Sequence, residues 1–404
     1  MPIPENNFAV LLHGTRVGIL RRRGAFTRFI ADRSYLANPA RSVLGLIFEQ
    51  DLPARHSEQG RLPPWFANLL PEGQLKKWIA AQRRVPLMRE VELLTEIGHD
   101  LPGAVQVISD DSLGIDQPWE TETQQRHRTR QRPEDIRFSL AGVTMKFSMI
   151  ANGERLTIPA VDQRGDWIVK LPDSVHPHVP HNEFAVMSLA RLAGIEVPEI
   201  RLVPRDELPS LPDRLWPNNE SWAYAIRRFD RDENREPVHI EDMAQVRDFY
   251  PEDKYESNYE TIASLIYRRR DLPALREFAR RLAFNVLIGN SDAHLKNWSL
   301  IYRNGRIPTL SPAYDLVSTI AYDYGEILGL PLLGTDRFAD ITLASFTALE
   351  KKLGVSADLV DVVKETVVTT VDAWPHASEP LAEHTTLKNA ISDNIARCSR
   401  TLLG

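Results

Sequence analysis

An α+β architecture in two lobes, a mixed α/β N-terminal part followed by a mainly α-helical C-terminal lobe, is predicted by three features of the sequence. The chain has 404 residues, 43% of them hydrophobic, which is material for more than one core. Its first half strings together short apolar runs of period two with single helical segments between them. From about Glu241 the apolar spacing becomes mostly helical, through "TIASLIYRRR", "ALREFARRLAFNVLIGN" and "SADLVDVVKETVVTTVDAW".

In chain order, "FAVLLHGTRVGIL" and "RFIADRSYL" alternate as strands of a small sheet facing a core. In "LPPWFANLLPEGQLKKWIAAQRR", Pro71 and Glu72 open a helix that Leu75, Trp78 and Ile79 continue at helical spacing. "PLMREVELLTEIGHDLPGAVQVI" reads as a helix, a turn through Pro102-Gly103 and a closing strand. Residues Gln117 to Asp135 carry almost no apolar side chains and read as a linker. Beyond them, "IRFSLAGVTMKFSMIANGERLTIPA" predicts a loop between two strands and a hairpin turning at Asn152-Gly153. "DWIVKLP" is a strand, "NEFAVMSLARLAGI" an amphipathic helix closed by Gly194, and "SWAYAIRRFDRD" a further strand. The boundaries that follow are 1–115 for an N-terminal subdomain, 116–135 for the linker, 136–240 for an α/β part and 241–404 for the helical lobe. There is no internal repeat.

Composition narrows the class. No apolar stretch approaches the roughly 20 residues of a membrane span, and "MPIPENNFAV" lacks a signal-like apolar core, so a cytoplasmic protein without a membrane partner is expected. A single cysteine, Cys398, agrees with a reducing compartment and reads as an inert thiol. With 49 basic against 55 acidic residues the net charge is -6, which excludes a polycation that coats nucleic acid. The basic runs Arg21 to Arg23, Arg126 to Arg132 and Arg268 to Arg270 read as solvated faces or linker, with phosphate binding as the alternative.

Chemistry concentrates in "GNSDAHLKNWSL". Asp292 and Asn297 stand in the D-x-x-x-x-N spacing by which kinases set a catalytic aspartate beside a metal-binding amide. "WSLIYRNGRIPTL" follows as two short strands turning at Asn304-Gly305, and "SPAYDL" then supplies Asp315. A polyphosphate with Mg²⁺ needs hard oxygen ligands from two elements that a hairpin can bring together, plus a carboxylate for the acceptor hydroxyl. A lysine for the phosphates and a glutamate to orient it are then required upstream. Lys170 in "WIVKLP" and Glu183 on the next helix fit. Between linker and strand, "SLAGVTMK" (Ser139 to Lys146) is a small-residue turn with one glycine, neither a P-loop nor GxGxxG, though Lys146 could add a cation. Two other enzyme classes compete. Small-molecule phosphotransferases share the spacing but usually carry a histidine before the aspartate, where this chain has Ser291, with His294 after it. A metal-dependent hydrolase on Asp292, His294 and Asp315 lacks a second histidine pair.

Taken together, "SLAGVTMK", "IVKLP", "NEF", "IRRFDR", "LIGNSDAHLKN", "SPAYDL" and "FANLLPEG" resemble, in order and separation, the HipA family of bacterial toxin serine/threonine kinases. The resemblance implies a protein-kinase-like fold with an extra N-terminal subdomain, and use of ATP and Mg²⁺. It implies Asp292 as catalytic base, Asn297 and Asp315 as metal ligands, and Lys170, ion-paired with Glu183, on the phosphates. It places Ala141, Gly142, Val143, Thr144, Met145 and Lys146 over the nucleotide. Arg227, Arg228 and Phe229 would form the hinge against adenine, with His294, Leu295, Lys296 and Tyr314 lining the site. Ser139 would be the autophosphorylated serine of the phosphate loop. That loop usually reads close to AGAQEK, and here Thr144-Met145 replaces Gln-Glu. The implied partners are a helix-turn-helix antitoxin (HipB-like), operator DNA mainly through that antitoxin, and an aminoacyl-tRNA synthetase as protein substrate. A kinase-fold co-repressor without catalysis is the non-enzymatic alternative.

Overall fold

The computed structural model describes residues 5–51, 56–109, 145–152, 155–157, 164–322 and 324–404. The linker Gln117 to Asp135, Ser139 and the loop residues Ala141, Gly142, Val143 and Thr144 lie outside them.

Strands β1 (Glu5–Leu12), β2 (Thr15–Arg23), β3 (Phe26–Ala31), β4 (His56–Gln59) and β5 (Val105–Ser109) form an antiparallel sheet in the order β4-β3-β2-β1-β5. Five short helices cover it: α1 (Arg33–Ala37), α2 (Leu46–Gln50), α3 (Pro64–Ala67), α4 (Gly73–Arg83) and α5 (Glu90–Glu96). Period-two alternation sends Phe8, Val10 and Leu12 inward, where they meet Phe29, Phe48, Trp65 and Phe66. The helix expected at Pro71-Glu72 begins at Gly73, with Glu72 at its N-cap position.

A second antiparallel sheet, in the order β7-β6-β8-β10-β9, comprises β6 (Lys146–Asn152), β7 (Arg155–Thr157), β8 (Trp167–Lys170), β9 (Ile200–Pro204) and β10 (Trp222–Arg227). Helix α6 (Val179–Leu192) crosses its face with Ala185, Val186, Leu189 and Ala190 against Tyr224 and Ile226, and Gly194 in the left-handed region (φ 80°) turns the chain after it. Register pairs Lys170 with Lys146 on β6 and with Tyr224 on β10.

The remaining lobe packs α7 (Met243–Val246), α8 (Tyr259–Tyr267), α9 (Leu272–Ile288), α10 (Leu343–Leu353), α11 (Leu359–Ala377) and α12 (Thr385–Leu403). Helix α9 is buried at almost every position from Phe278 to Ile288, capped at its start by Asp271 accepting from the Ala274 amide (3.1 Å) and stopped by Gly289 (φ 66°). The lobe is less purely helical than its spacing predicts. Strand β11 (His239–Asp242) joins the anticipated hairpin β12 (Ser299–Tyr302) and β13 (Thr309–Leu310), and β14 (Ile327–Leu332) pairs with β15 (Thr335–Arg337). In β14 the run "ILGLPL" carries Pro331 and a register irregularity, so its apolar pattern has no clean period.

Two buried polar joints fix the N-terminal subdomain to the rest. Glu241 on β11 accepts from the Leu46 amide (3.0 Å), the Trp65 indole (3.2 Å) and the Tyr302 hydroxyl. Asp100 accepts from Arg228 and Arg231 at 2.8 Å each, and both guanidinium groups also hold Asp230.

Candidate active site

Across the second sheet Lys146 and Lys170 are direct cross-strand partners. Like charges so placed repel, so the pair needs compensating anions. Two are present. Lys170 Nζ bonds Glu183 on α6 at 2.5 Å and also contacts Asp315 directly. Burial would lower the Lys170 ammonium, but Asp315 and Glu183 outweigh it and hold it above its ordinary value. Burial likewise opposes ionisation of Asp315, yet Lys170 and Lys146 keep it down at about 2. Glu183, more deeply enclosed, is pushed up to about 7 by burial against the pull of Lys170. Lys146 is held below the usual lysine value by burial, with Asp315 opposing. Asp315 itself sits in the left-handed region (φ 54°), an unusual conformation for a non-glycine residue that presents its carboxylate to the lysines.

The loop after α9 is built on asparagines. Asn290 Nδ2 donates to Asn285 (2.8 Å), and its Oδ1 accepts from the Asp292 amide at 3.0 Å. Asp292 is thereby fixed, its carboxylate taking the Tyr255 hydroxyl, and Tyr259 donates to the Ala293 carbonyl at 2.9 Å. The Asn297 side chain spans the turn: Oδ1 accepts from the His294 amide (3.1 Å) and Nδ2 donates to Asp315 (3.2 Å). Asn297, Asp315 and Lys170 are therefore joined in one run of contacts, with Asp292 on the same loop as Asn297, and the four residues come from three segments of the chain.

Other predicted residues divide. Lys146, Lys170, Arg227, Arg228, Phe229, His294, Lys296, Tyr314 and Asp315 line one cleft of about 350 Å³ between the lobes. Phe229 and Tyr314 lie ring to ring there (5.4 Å), and the Tyr314 hydroxyl donates to the Lys296 carbonyl at 2.8 Å. Arg228 faces this cleft but spends its guanidinium on Asp100 and Asp230. Lys296 is equally engaged, with Asp242 (3.0 Å) and the Asn68 side chain (2.9 Å), so it locks the loop to the N-terminal subdomain. The Leu295 side chain enters the helical core, and Met145 packs with the second sheet's core, so neither lines the cleft.

His294 is buried beside the cleft, 4.0 Å from Asp292, and neither of its ring nitrogens has a hydrogen-bond partner among the described residues. Burial, then Lys254 and Lys296, push its pKa well down, so the ring is neutral. Its part in shaping the loop comes from its backbone amide.

Sequence reasoning missed three contributors. Glu72, inside the quoted "FANLLPEG", reaches Lys254 (3.1 Å) and Lys296 (3.7 Å). Tyr255 and Lys254 follow α7 in "EDKYES", where no spacing marks them. With Glu72 they line a second, wider groove of about 1070 Å³ that adjoins the cleft at Leu70, Pro71 and Glu72.

The donor set fits a polyphosphate with a hard divalent cation. An amide and a carboxylate, Asn297 and Asp315, adjoin two lysines held opposite each other, and the unpartnered His294 nitrogens show a polar wall that the protein leaves unsatisfied. Such a site can hold anionic oxygens and place an acceptor beside Asp292.

Two family models match the chain, "HipA N-terminal domain" over residues 8–108 and "HipA-like C-terminal domain" over residues 138–374. The chain is 41% identical over 376 residues, 90% of each protein, to Y4dM of Sinorhizobium fredii, which carries a provisional kinase name. It is 28% identical over 297 residues, 64% of this chain and 63% of the relative, to the serine/threonine-protein kinase toxin HipA of Shewanella oneidensis. Its fold is similar to a chain in the solved complex of the Shewanella oneidensis MR-1 toxin–antitoxin proteins HipA and HipB with operator DNA: TM-score 0.75, 21% identity, 97% of each chain covered.

Proposed function

The chain belongs to the HipA family, and from that premise we propose that it is an ATP- and Mg²⁺-dependent serine/threonine protein kinase acting as a toxin. The observation that carries the reading is the run of contacts from Asn297 to Asp315 and from Asp315 to Lys170 at the edge of a cleft lined by Lys146, Lys170 and Asp315, with Asp292 on the same loop as Asn297. In this reading the Phe229–Tyr314 rings receive the adenine, and Lys170, oriented by Glu183, neutralises charge on the phosphates. Asn297 and Asp315 would hold Mg²⁺, which when bound supplies Lewis-acid neutralisation of the phosphate oxygens. Asp292, steadied by Tyr255, accepts the proton of the acceptor hydroxyl as that oxygen attacks the γ-phosphorus and the bond to the leaving diphosphate breaks. The groove lined by Tyr255, which bonds the Asp292 carboxylate, is wide enough for a polypeptide segment and supports a protein acceptor.

The remaining functional statements rest on the family. Ser139 is the autophosphorylation site whose modification silences the enzyme. A HipB-like helix-turn-helix antitoxin neutralises the chain and carries it to operator DNA. The substrate is a translation protein of the aminoacyl-tRNA synthetase class.

The test is phosphoproteomics after expressing the wild-type chain beside Asp292→Gln. Phosphate on Ser139 and on a synthetase, present only with Asp292, is the expected result. A chain that binds Mg-ATP and transfers nothing, with Ser139 unmodified, overturns the kinase reading in favour of a co-repressor.

A further inference from the structure

Away from the cleft, three imidazoles meet: His178 and His181 at the head of α6, and His384 at the head of α12. One ring nitrogen from each lies within 4.8 Å of the other two. His178 and His384 stack with centroids 3.9 Å apart, and His181 meets His384 edge-on at 4.7 Å. Hydrogen bonding does not account for the grouping. The Nδ1 of His181 is buried with no partner among the described residues, a state that buried polar atoms seldom hold. His178 sits in the left-handed region (φ 62°), an outlier of the kind that marks functional positions.

Two of the three rings are disposed to stay neutral and so to offer lone pairs to a cation. Burial first, then His384 and His178, push His181 down to about 4, and burial with His178 lowers His384. At neutral pH His181 and His384 therefore present lone pairs instead of charge. Behind it, Glu220 accepts from the His178 amide at 3.1 Å and lies 3.8 Å from the His178 Nδ1, the placement by which a carboxylate orients a metal-bound imidazole.

We propose that His178, His181 and His384 form a binding site for a divalent transition-metal ion of the zinc class, with solvent at a fourth position. Imidazole nitrogens suit zinc, nickel and copper, and three of them with one open position make a tetrahedral site. Bonds of about 2.1 Å require the nitrogens to draw together by roughly 1 Å, a rotamer adjustment available to half-buried rings. The bound ion would pin the head of α6 to the head of α12, two residues from Glu183, while standing apart from the hard-cation ligands in the cleft.

The experiment uses the tag-free full chain, stripped with chelator and titrated with Co²⁺. One equivalent should give the intense visible d–d bands of tetrahedral cobalt, Zn²⁺ should bleach them, and either ion should raise the unfolding midpoint by a few degrees. His181→Asn and His384→Asn should each weaken binding at least about tenfold. Their metal-free unfolding midpoints should match wild type, and His178→Asn provides a third arm should either variant misfold. Asp315→Asn should keep the bands. Absence of bands at stoichiometric Co²⁺, bands that survive the histidine substitutions, or bands lost with Asp315→Asn overturn the proposal.

Discussion

Lys170 stands opposite another lysine and between two carboxylates, so its charge is both costly and indispensable. Lys170→Ala leaves Glu183 without its ion-pair partner and Asp315 with Lys146 as its remaining lysine. Loss of ATP binding is expected, with about 3 kcal/mol of stability, read by equilibrium binding and by denaturant unfolding. Asp292→Asn should cut phosphoryl transfer by about 10²- to 10⁴-fold in a labelled-ATP assay while ATP binding persists. Tyr255→Phe removes a hydrogen bond to that carboxylate and should lower kcat about tenfold with KM for ATP unchanged, because the hydroxyl lies on the acceptor side. The contact between Asn297 and Asp315 was anticipated from sequence because the D-x-x-x-x-N spacing and the hairpin after it are local signals. Tyr255 was not, since only the folded chain brings it across 37 residues to Asp292.

Strand β14 shows how an element can serve chemistry without a catalytic side chain. A Cβ on Gly329 would come within 2.7 Å of the Ala293 amide and 2.9 Å of its carbonyl, so this strand lies directly against the backbone beside Asp292. Gly329→Ala should therefore shift the loop and reduce kcat by more than tenfold, while the chain stays folded by circular dichroism; unaltered kcat would show that the strand yields instead. Gly289→Ala acts differently. It forces a side chain into the left-handed stop of α9 and against Ile320 (3.0 Å) and Asn394 (3.1 Å), and about 1–3 kcal/mol of destabilisation is expected by thermal unfolding. Helix α9 was readable from sequence, as was the hairpin β12–β13. The pair β14–β15 was not, because Pro331 and the register irregularity blur the period.

At the scale of the molecule, Glu241 couples the N-terminal subdomain to pH. Burial raises its pKa from 4.5 to about 7 despite three hydrogen-bond donors. The protonated carboxyl therefore favours the fold fully below pH 4.5, and that contribution, on the order of 3 kcal/mol, is lost as pH rises through about 7. Denaturant midpoints should fall from pH 5 to pH 8, and Glu241→Gln should flatten that dependence. The sequence pattern conveyed two lobes and a front subdomain, but joints such as Asp100 with Arg228, 128 residues apart, leave no local signal.

One contact described by its neighbours bears on when the protein becomes active during its own synthesis. Asn394 on α12 donates to the Val286 and Leu287 carbonyls at the end of α9 (3.1 and 2.7 Å), so the mount of the catalytic loop is completed from 108 residues downstream. Domains fold as they leave the ribosome, N-terminal parts first. Glu72, Lys170 and even Asp292 therefore emerge well before the residue that secures α9. In the proposed reading the nascent chain is expected to be inert until α12 has emerged, and a chain stopped ahead of Thr385 should show no phosphoryl transfer until α12 is supplied as a separate peptide.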